Sequence, residues 1–330
     1  MTLSTAFTRA FGIRHPVALA PMDRVAGARL AAAVSAAGGL GLLGGGLGNR
    51  EWLAAQLPAL AGANSRPWGV GLVVWAVDRA VLEQALAHRP DVVMLSFGDP
   101  APLAPAVRAA GARLIVQATD LDEVRRALDA GADAVVAQGG DAGGHGGHRG
   151  TLAFLPAAVD LAGDTPVLGA GGITDGRGLA ATLALGAAGV LLGTRFALTE
   201  EADLPDRDRR AALAAGGEDT QRSRLVDIAR GSAWPARYSG RSLRSPLLAP
   251  WAGREEQLAG DAEALRRYRD ALKRGDPDAR PVWAGEGLDL VTDAPAASTV
   301  LTRIVLDAQR ALAAAAGSVD PSSQGGHHQP

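Results

Sequence analysis

The chain has 330 residues, 47% apolar and 21% charged, which suits one large soluble globular domain or two smaller ones. A net charge of −2 gives no electrostatic basis for a nucleic-acid or membrane-surface partner, and the absence of cysteine excludes disulfides, thiolate metal sites and thiol nucleophiles. No apolar stretch reaches the length of a membrane span, and Met1-Thr-Leu-Ser-Thr-Ala-Phe7 lacks the basic-then-apolar layout of a signal peptide, so a cytoplasmic location is expected.

Apolar runs and amphipathic stretches alternate along the chain. The first run, residues 16–20, ends in Ala20-Pro21-Met22; the second covers 39–43 and the third 68–74, just before Trp75. Asp78 then caps a helix that carries Val81, Leu82, Ala85 and Leu86 on one face. Runs at 91–95 and 113–117 follow, leading into Ser96-Phe97-Gly98 and ending in Gln117, respectively. Asp120 with Glu123 forms a capping-box signal ahead of Val124, Ala127 and Leu128. The run at 133–137 leads into Gln138, and the run at 165–169 into Gly169-Ala-Gly171-Gly172-Ile173. Asp175 opens another helix, and the last run, 188–192, is followed by Gly193-Thr194. Gly111, Gly131 and Gly186 each end a helical pattern and introduce Ala, two variable residues and apolar residues. Each sits where a left-handed residue after a helix belongs.

Eight short, unalternated apolar runs separated by helices predict a closed (β/α)8 TIM barrel, with an open doubly wound sheet as the alternative. Aromatics make up only 4% of the chain while Ala and Gly abound, which favours helices packed closely on a sheet. The barrel is expected over residues 1–198. Residues 199–315, rich in charge and proline, break the repeat and read as a mainly helical region covering the barrel mouth and shaping a substrate pocket. Residues 316–330 read as a disordered tail, with His327 and His328 solvated.

Active sites of such barrels form at the C-terminal ends of the strands. There the segment Gln138-Gly-Gly-Asp141-Ala-Gly-Gly-His145-Gly-Gly-His148-Arg149-Gly150 contains seven glycines and a selection of polar residues suited to chemistry. Glycine after a buried strand lets backbone approach a ligand closely. His145 is the candidate proton-transfer group, with His148 as its rival, because imidazole exchanges protons near neutral pH. His15 and His88 read as structural. Across the mouth, Gly171, Gly172, Gly193 and Thr194 are placed to cradle a phosphate with backbone N–H groups, although plain tight turns would also use those glycines. Trp75, Phe97, Trp234, Tyr238 and Trp251 are candidates to line a pocket. Arg237, Arg241 and Arg244 either attract an acidic substrate or face solvent.

These motifs together resemble the nitronate monooxygenases, flavin enzymes formerly called 2-nitropropane dioxygenases. The resemblance rests on Gln138 to His145, Gly169-Ala-Gly-Gly-Ile-Thr-Asp-Gly-Arg177, Gly189-Val-Leu-Leu-Gly-Thr-Arg-Phe196, Pro16-Val-Ala-Leu-Ala-Pro-Met22, Ala36-Ala-Gly-Gly-Leu-Gly41, Tyr238-Ser-Gly-Arg241 and Trp283-Ala-Gly-Glu-Gly287. It spans roughly residues 10 to 315. It implies FMN bound in the barrel, with Ala20, Pro21, Met22, Gln117, Gln138, Gly143 and Gly144 around the flavin and its phosphate at Gly171, Gly172, Gly193 and Thr194. It also implies that His145 takes the α-proton of a nitroalkane, with O2 as co-substrate and a carbonyl compound and nitrite as products. Gly71 stands where the family often has Asn, Leu191 where it often has Gln, and Asp141 where Glu is common, while Gly146-Gly147 extend the loop. The chain therefore reads as a divergent branch whose substrate need not be a simple nitronate. An FMN-dependent NAD(P)H enoyl-thioester reductase on the same barrel is the alternative. A non-redox barrel binding a phosphorylated substrate is a third reading, distinguished by refusal of FMN.

Overall fold

The computed structural model describes residues 3–63 and 67–318. In chain order its strands are β1 (Val17–Leu19), β2 (Gly41–Gly46), β3 (Trp68–Val73), β4 (Val92–Ser96), β5 (Arg113–Ala118), β6 (Ala134–Gln138), β7 (Gly144–Gly146), β8 (Val167–Ala170), β9 (Gly189–Leu192), β10 (Thr220–Ser223) and β11 (Ser239–Leu243). Eight of them form one parallel sheet in the order β1-β9-β8-β6-β5-β4-β3-β2. Leu40 bridges to Ala18, its N–H donating to Val17 O and its carbonyl accepting from Leu19 N, each at 2.9 Å. That bridge joins the two end strands, so the sheet closes as the expected (β/α)8 barrel. Each of the eight expected runs overlaps one of these strands.

Side chains alternate across each barrel strand, as a strand buried on both faces requires. Val92 and Met94 of β4 join Ile115, Ala134, Val136, Leu168 and Leu191 in the barrel interior, while Val93 and Leu95 pack outward under the helices. The helix Ala6–Phe11 contributes Phe7 and Phe11 to that interior, their ring centroids 4.8 Å apart. Local signals act as the sequence predicts. Asp78, Asp120 and Asp175 each accept from backbone N–H groups of the helix they open, and Gly111, Gly131 and Gly186 have φ of 75°, 70° and 88°. The capping box at Asp120 closes differently. The Glu123 carboxylate reaches back to Thr119, accepting from both its N–H and its hydroxyl at 2.7 Å.

Beyond residue 198 the chain has two jobs. The final helix, Ala297–Gly317, packs against the helices Gly176–Ala184 and Ala28–Ala36 on the barrel wall. A Cβ on Gly176 would lie 2.4 Å from Ala308 N and 2.5 Å from Ile304 O, so only glycine permits that approach. This helix takes the eighth helical place of the barrel, whereas the expected division at 198 assigns it to the mouth region. Between it and β9, the helices Asp206–Leu213, Leu225–Arg230, Glu255–Gly260 and Ala262–Lys273 make the region mainly helical, as expected. The same stretch also holds β10 and β11, which the sequence does not announce. They form an antiparallel sheet in the order β10-β11-β7. Its third strand is the glycine-rich loop itself, with Gly240 opposite His145 and Arg241 opposite Gly144. Of the expected tail, Ala316 and Gly317 are still helical, and residues 319–330 lie outside the described residues. Among the described residues no helix is long and apolar enough to cross a membrane.

Candidate active site

The sixth barrel strand delivers Gln138 to the C-terminal end of the barrel, buried beside Gln117 of β5. Gln117 Nε2 donates to Gln138 Oε1 at 3.1 Å, and Gln138 Nε2 donates to the carbonyl of His145 at 3.0 Å. Two buried side-chain amides thus bind the glycine-rich loop to the barrel. The loop is held from outside as well. Arg222 of β10 donates to the carbonyls of Gly140 (3.0 Å), Ala142 (2.6 Å) and Ser239, and Arg241 of β11 donates to Gly140 O at 3.1 Å. Burial, and then the neighbouring Arg241 charge, push the Arg222 guanidinium down to about 10, so it still carries its charge at neutral pH. Asp141 is structural: it accepts from Thr151 N at 2.8 Å and so fastens the end of the loop to the next helix.

His145 projects from β7 with its side chain 10% exposed. Its Nε2 lies 2.9 and 3.1 Å from the two carboxylate oxygens of Asp227, which is buried in the helix Leu225–Arg230. Trp234 stacks on the imidazole face at 3.7 Å between centroids and 4° between planes. Trp283 stands 5.1 Å away on a tilted approach, in space left open by Gly240. Trp75 at the end of β3 and Phe97 at the end of β4 meet Trp234 edge-on at 5.2 and 5.0 Å, and Tyr238 meets Phe97 at 5.1 Å. Phe97 has φ 61°, a left-handed conformation that a bulky residue adopts at a cost of roughly 1–3 kcal/mol. It sits where barrel enzymes carry function.

Four of the five aromatic candidates, Trp75, Phe97, Trp234 and Tyr238, therefore gather around His145. Trp251 does not: it packs with Leu225, Leu248 and Leu258 in a separate cluster, with Arg254 over its ring at 5.3 Å. His148 is exposed on the surface, and Arg149 lies over the Phe154 ring. Arg237 pairs with Asp120 and Glu123 at 2.8 and 3.0 Å, and Arg241 pairs with Glu286 at 2.6 Å. Both guanidiniums are thus ion-paired within the chain. Tyr238 donates its hydroxyl to Glu123 and so ties the aromatic wall to the barrel; burial, and then that hydrogen bond, hold its phenol well above the usual range. Asp227 and Arg222 are the residues that sequence reasoning missed. Their signal was faint: an acid and a base within otherwise unremarkable stretches, 82 residues from the loop atoms they hold.

The residues expected to form a cradle directly follow the neighbouring strands β8 and β9. Gly171 and Gly172 have φ of 110° and 68°, which aim their peptide groups as an L side chain would not allow without strain. Among the described residues, the backbone N–H groups of Gly171, Gly172, Gly193 and Thr194 donate to no partner. Thr194 Oγ1 accepts from Gly285 N at 3.0 Å, which leaves its own hydroxyl hydrogen free. A Cβ on Gly193 would lie 3.7 Å from Ala20 Cβ and 3.8 Å from Met22 Sδ, in ordinary contact, so the fold itself does not require glycine there. Gly143 packs against the backbone of Ala284 and Gly285, and Gly144 is open on its Cβ side. Gly71 has a local reason. A Cβ there would fall 2.2 Å from Pro21 Cγ, so the Pro21 ring fills the space an Asn would need. Leu191 packs in the barrel interior, 5% exposed.

Fold and site define a (β/α)8 barrel enzyme with a carboxylate-paired histidine at its mouth. The nitronate monooxygenase family model matches residues 4–86 and 76–307 of this chain. A (3aS,4S,5R,7aS)-5-hydroxy-7a-methyl-1-oxo-octahydro-1H-indene-4-carboxyl-CoA dehydrogenase of Mycobacterium tuberculosis is 33% identical, over 97% of this chain and 100% of its own. A nitronate monooxygenase of Pseudomonas aeruginosa is 32% identical over 92% of this chain and 99% of its own. Among solved structures, FabK from Thermotoga maritima has a TM-score of 0.85 at 27% identity, covering 96% of this chain and 100% of that one. Nitroalkane oxidase from Streptomyces ansochromogenes has a TM-score of 0.75 at 29% identity, covering 94% and 100%. The chain belongs to the nitronate monooxygenase family, and it is a flavin-dependent oxidoreductase.

Proposed function

We propose that this protein is an FMN-dependent nitronate monooxygenase that oxidises nitroalkanes or nitronates with O2 to a carbonyl compound and nitrite. One observation carries the reading. A histidine held by a buried carboxylate and stacked on tryptophan stands at the barrel mouth, within an aromatic wall. The chain's own groups fit the cofactor. Four unclaimed backbone N–H groups and a free hydroxyl hydrogen at Gly171, Gly172, Gly193 and Thr194 suit a phosphate, and the room beside Gly193 would admit it. Ala20, Pro21, Met22, Gln117, Gln138, Gly143 and Gly144 would border the ring. Bound FMN would supply the redox chemistry.

The protein supplies the proton chemistry. His145 takes the acidic proton from the carbon bearing the nitro group, and the C–H bonding pair delocalises onto the nitro oxygens. Asp227 and the face of Trp234 stabilise the imidazolium so formed. Trp75, Phe97, Trp234 and Tyr238 keep water from the carbanionic species and favour a substrate with an apolar body.

A second reading is favoured by one specific finding: the Mycobacterium tuberculosis relative aligned over its full length carries a carboxyl-CoA substrate in its name. The carbon beside a thioester carbonyl is also a carbon acid, and the same base would serve it, either in dehydrogenation or, in reverse sense, in NAD(P)H-driven enoyl-thioester reduction. One panel separates the readings on purified, FMN-loaded protein. Nitrite release from nitroalkanes in air supports the first. Acyl-CoA oxidation with an artificial acceptor, or fast NAD(P)H oxidation dependent on an enoyl thioester, without nitrite from any nitroalkane, replaces it with the second.

A further inference from the structure

We infer that Asp227 is a positioning residue that fixes the His145 tautomer and so makes Nδ1 the proton-accepting atom. The inference rests on the reading of His145 as the base and adds which of its two nitrogens works. A carboxylate can only accept, so Nε2, facing both Asp227 oxygens at 2.9 and 3.1 Å, must carry the hydrogen it donates. In neutral imidazole the other nitrogen then holds the lone pair. No described residue hydrogen-bonds Nδ1. The ring cannot turn to exchange the two, because Trp234 lies flat on one face at 3.7 Å and Trp283 approaches at 5.1 Å. Gly240, directly across the strand pair, has no side chain to compete for Nε2.

The charged surroundings leave Asp227 alone in this role. From β10 and β11, Arg222 and Arg241 approach the loop, but both are turned to the Gly140 carbonyl. Tyr238, behind Trp234, donates to Glu123. In the proton transfer the substrate C–H bond breaks, the N–H bond forms at Nδ1, and the electron pair stays with the substrate. Asp227 holds the resulting imidazolium through its pair with Nε2. Its 8% exposure keeps water from competing for that bond.

The test uses Asp227→Asn and Asp227→Glu with His145→Ala as reference. Asn keeps the shape but can donate to Nε2 and so permits the wrong tautomer. The expected result for D227N is unchanged flavin content and KM and a fall in kcat of roughly 10²–10⁴-fold on a nitroalkane. D227E restores part of the rate. A readout free of turnover is the histidine-selective 15N spectrum of the wild-type protein, with the His145 signal identified by its loss in H145A. It should show Nε2 protonated and Nδ1 bare. A neutral Nδ1–H tautomer in the wild type, or a D227N enzyme that keeps its kcat, overturns the role of Asp227. Full activity of H145A on a nitroalkane would instead overturn the reading of His145 beneath it. Should D227N fail to fold, the wild-type 15N spectrum decides alone.

Discussion

Replacing Gly71 with alanine adds one methyl group, and the structure places it 2.2 Å from Pro21 Cγ and 2.3 Å from Pro21 Cβ. Carbon pairs rest near 3.5–4.0 Å, so the overlap exceeds an ångström. A proline ring has no rotamer to escape into, and Pro21 is held in turn: Ala20 N donates to Leu192 O and Met22 N to Ala20 O, both at 2.9 Å. Relief must come from shifting backbone at the barrel mouth. Overpacking of this kind costs about 1–3 kcal/mol, which lowers the unfolding midpoint by a few degrees in a chain of this size. The matched control is Gly62→Ala in the helix Arg50–Ala63, where the new methyl meets nothing within 4 Å. There the same chemical change should stabilise by up to roughly 1 kcal/mol through helix propensity. Chemical denaturation of the two flavin-free variants beside wild type measures both signs. Since Ala20, Pro21 and Met22 would border the flavin, G71A should also purify with less of it. A G71A protein as stable as wild type, and as yellow, would refute the close contact and with it the explanation for glycine at this position.

Other outcomes follow from the same geometry. Gly193→Ala should leave the stability of the flavin-free protein unchanged, because its Cβ has room, yet weaken FMN binding about tenfold or more by filling the space the phosphate would use. Fluorescence titration with FMN checks it, and unchanged affinity would reduce Gly193 to a turn residue. The only two tyrosines, Tyr238 and Tyr268, both have phenols raised chiefly by burial. A folded pKa above the unfolded one gives stability that is complete below pH 10 and is lost as pH rises beyond it, because the unfolded chain then releases those protons first. Absorbance at 295 nm should therefore show no tyrosinate in the folded protein until it unfolds in alkali; early tyrosinate at lower pH would contradict the burial of both hydroxyls.

The barrel was legible because its signals are local. Capping aspartates, left-handed glycines after helices and short apolar runs each need only a few neighbouring residues. The mouth was half legible. His145 and the glycines stand on loops that follow predicted strands, so the fold brings them together. Asp227 could not be read, since its only mark is an acid between Val226 and Ile228 in a six-residue helix, and its meaning comes from a partner 82 residues away. Strands β10 and β11 were hidden for a related reason. Thr-Gln-Arg-Ser and Ser-Gly-Arg-Ser-Leu lack an apolar alternation, and they become strands through pairing with each other and with the glycine-rich loop. The final helix was misplaced because its apolar pattern shows that it packs, and not on which face of the molecule.

The central claim is that His145 removes a proton from carbon before flavin chemistry begins. A nitroalkane still carries that proton, and its nitronate has already lost it. The decisive measurement is therefore nitrite release by His145→Ala on both forms of one substrate, at equal flavin loading. Activity on the neutral nitroalkane should fall roughly 10²–10⁴-fold, while activity on the preformed nitronate stays within a few-fold of wild type; equal losses on both forms, or none on the nitroalkane, would contradict the account.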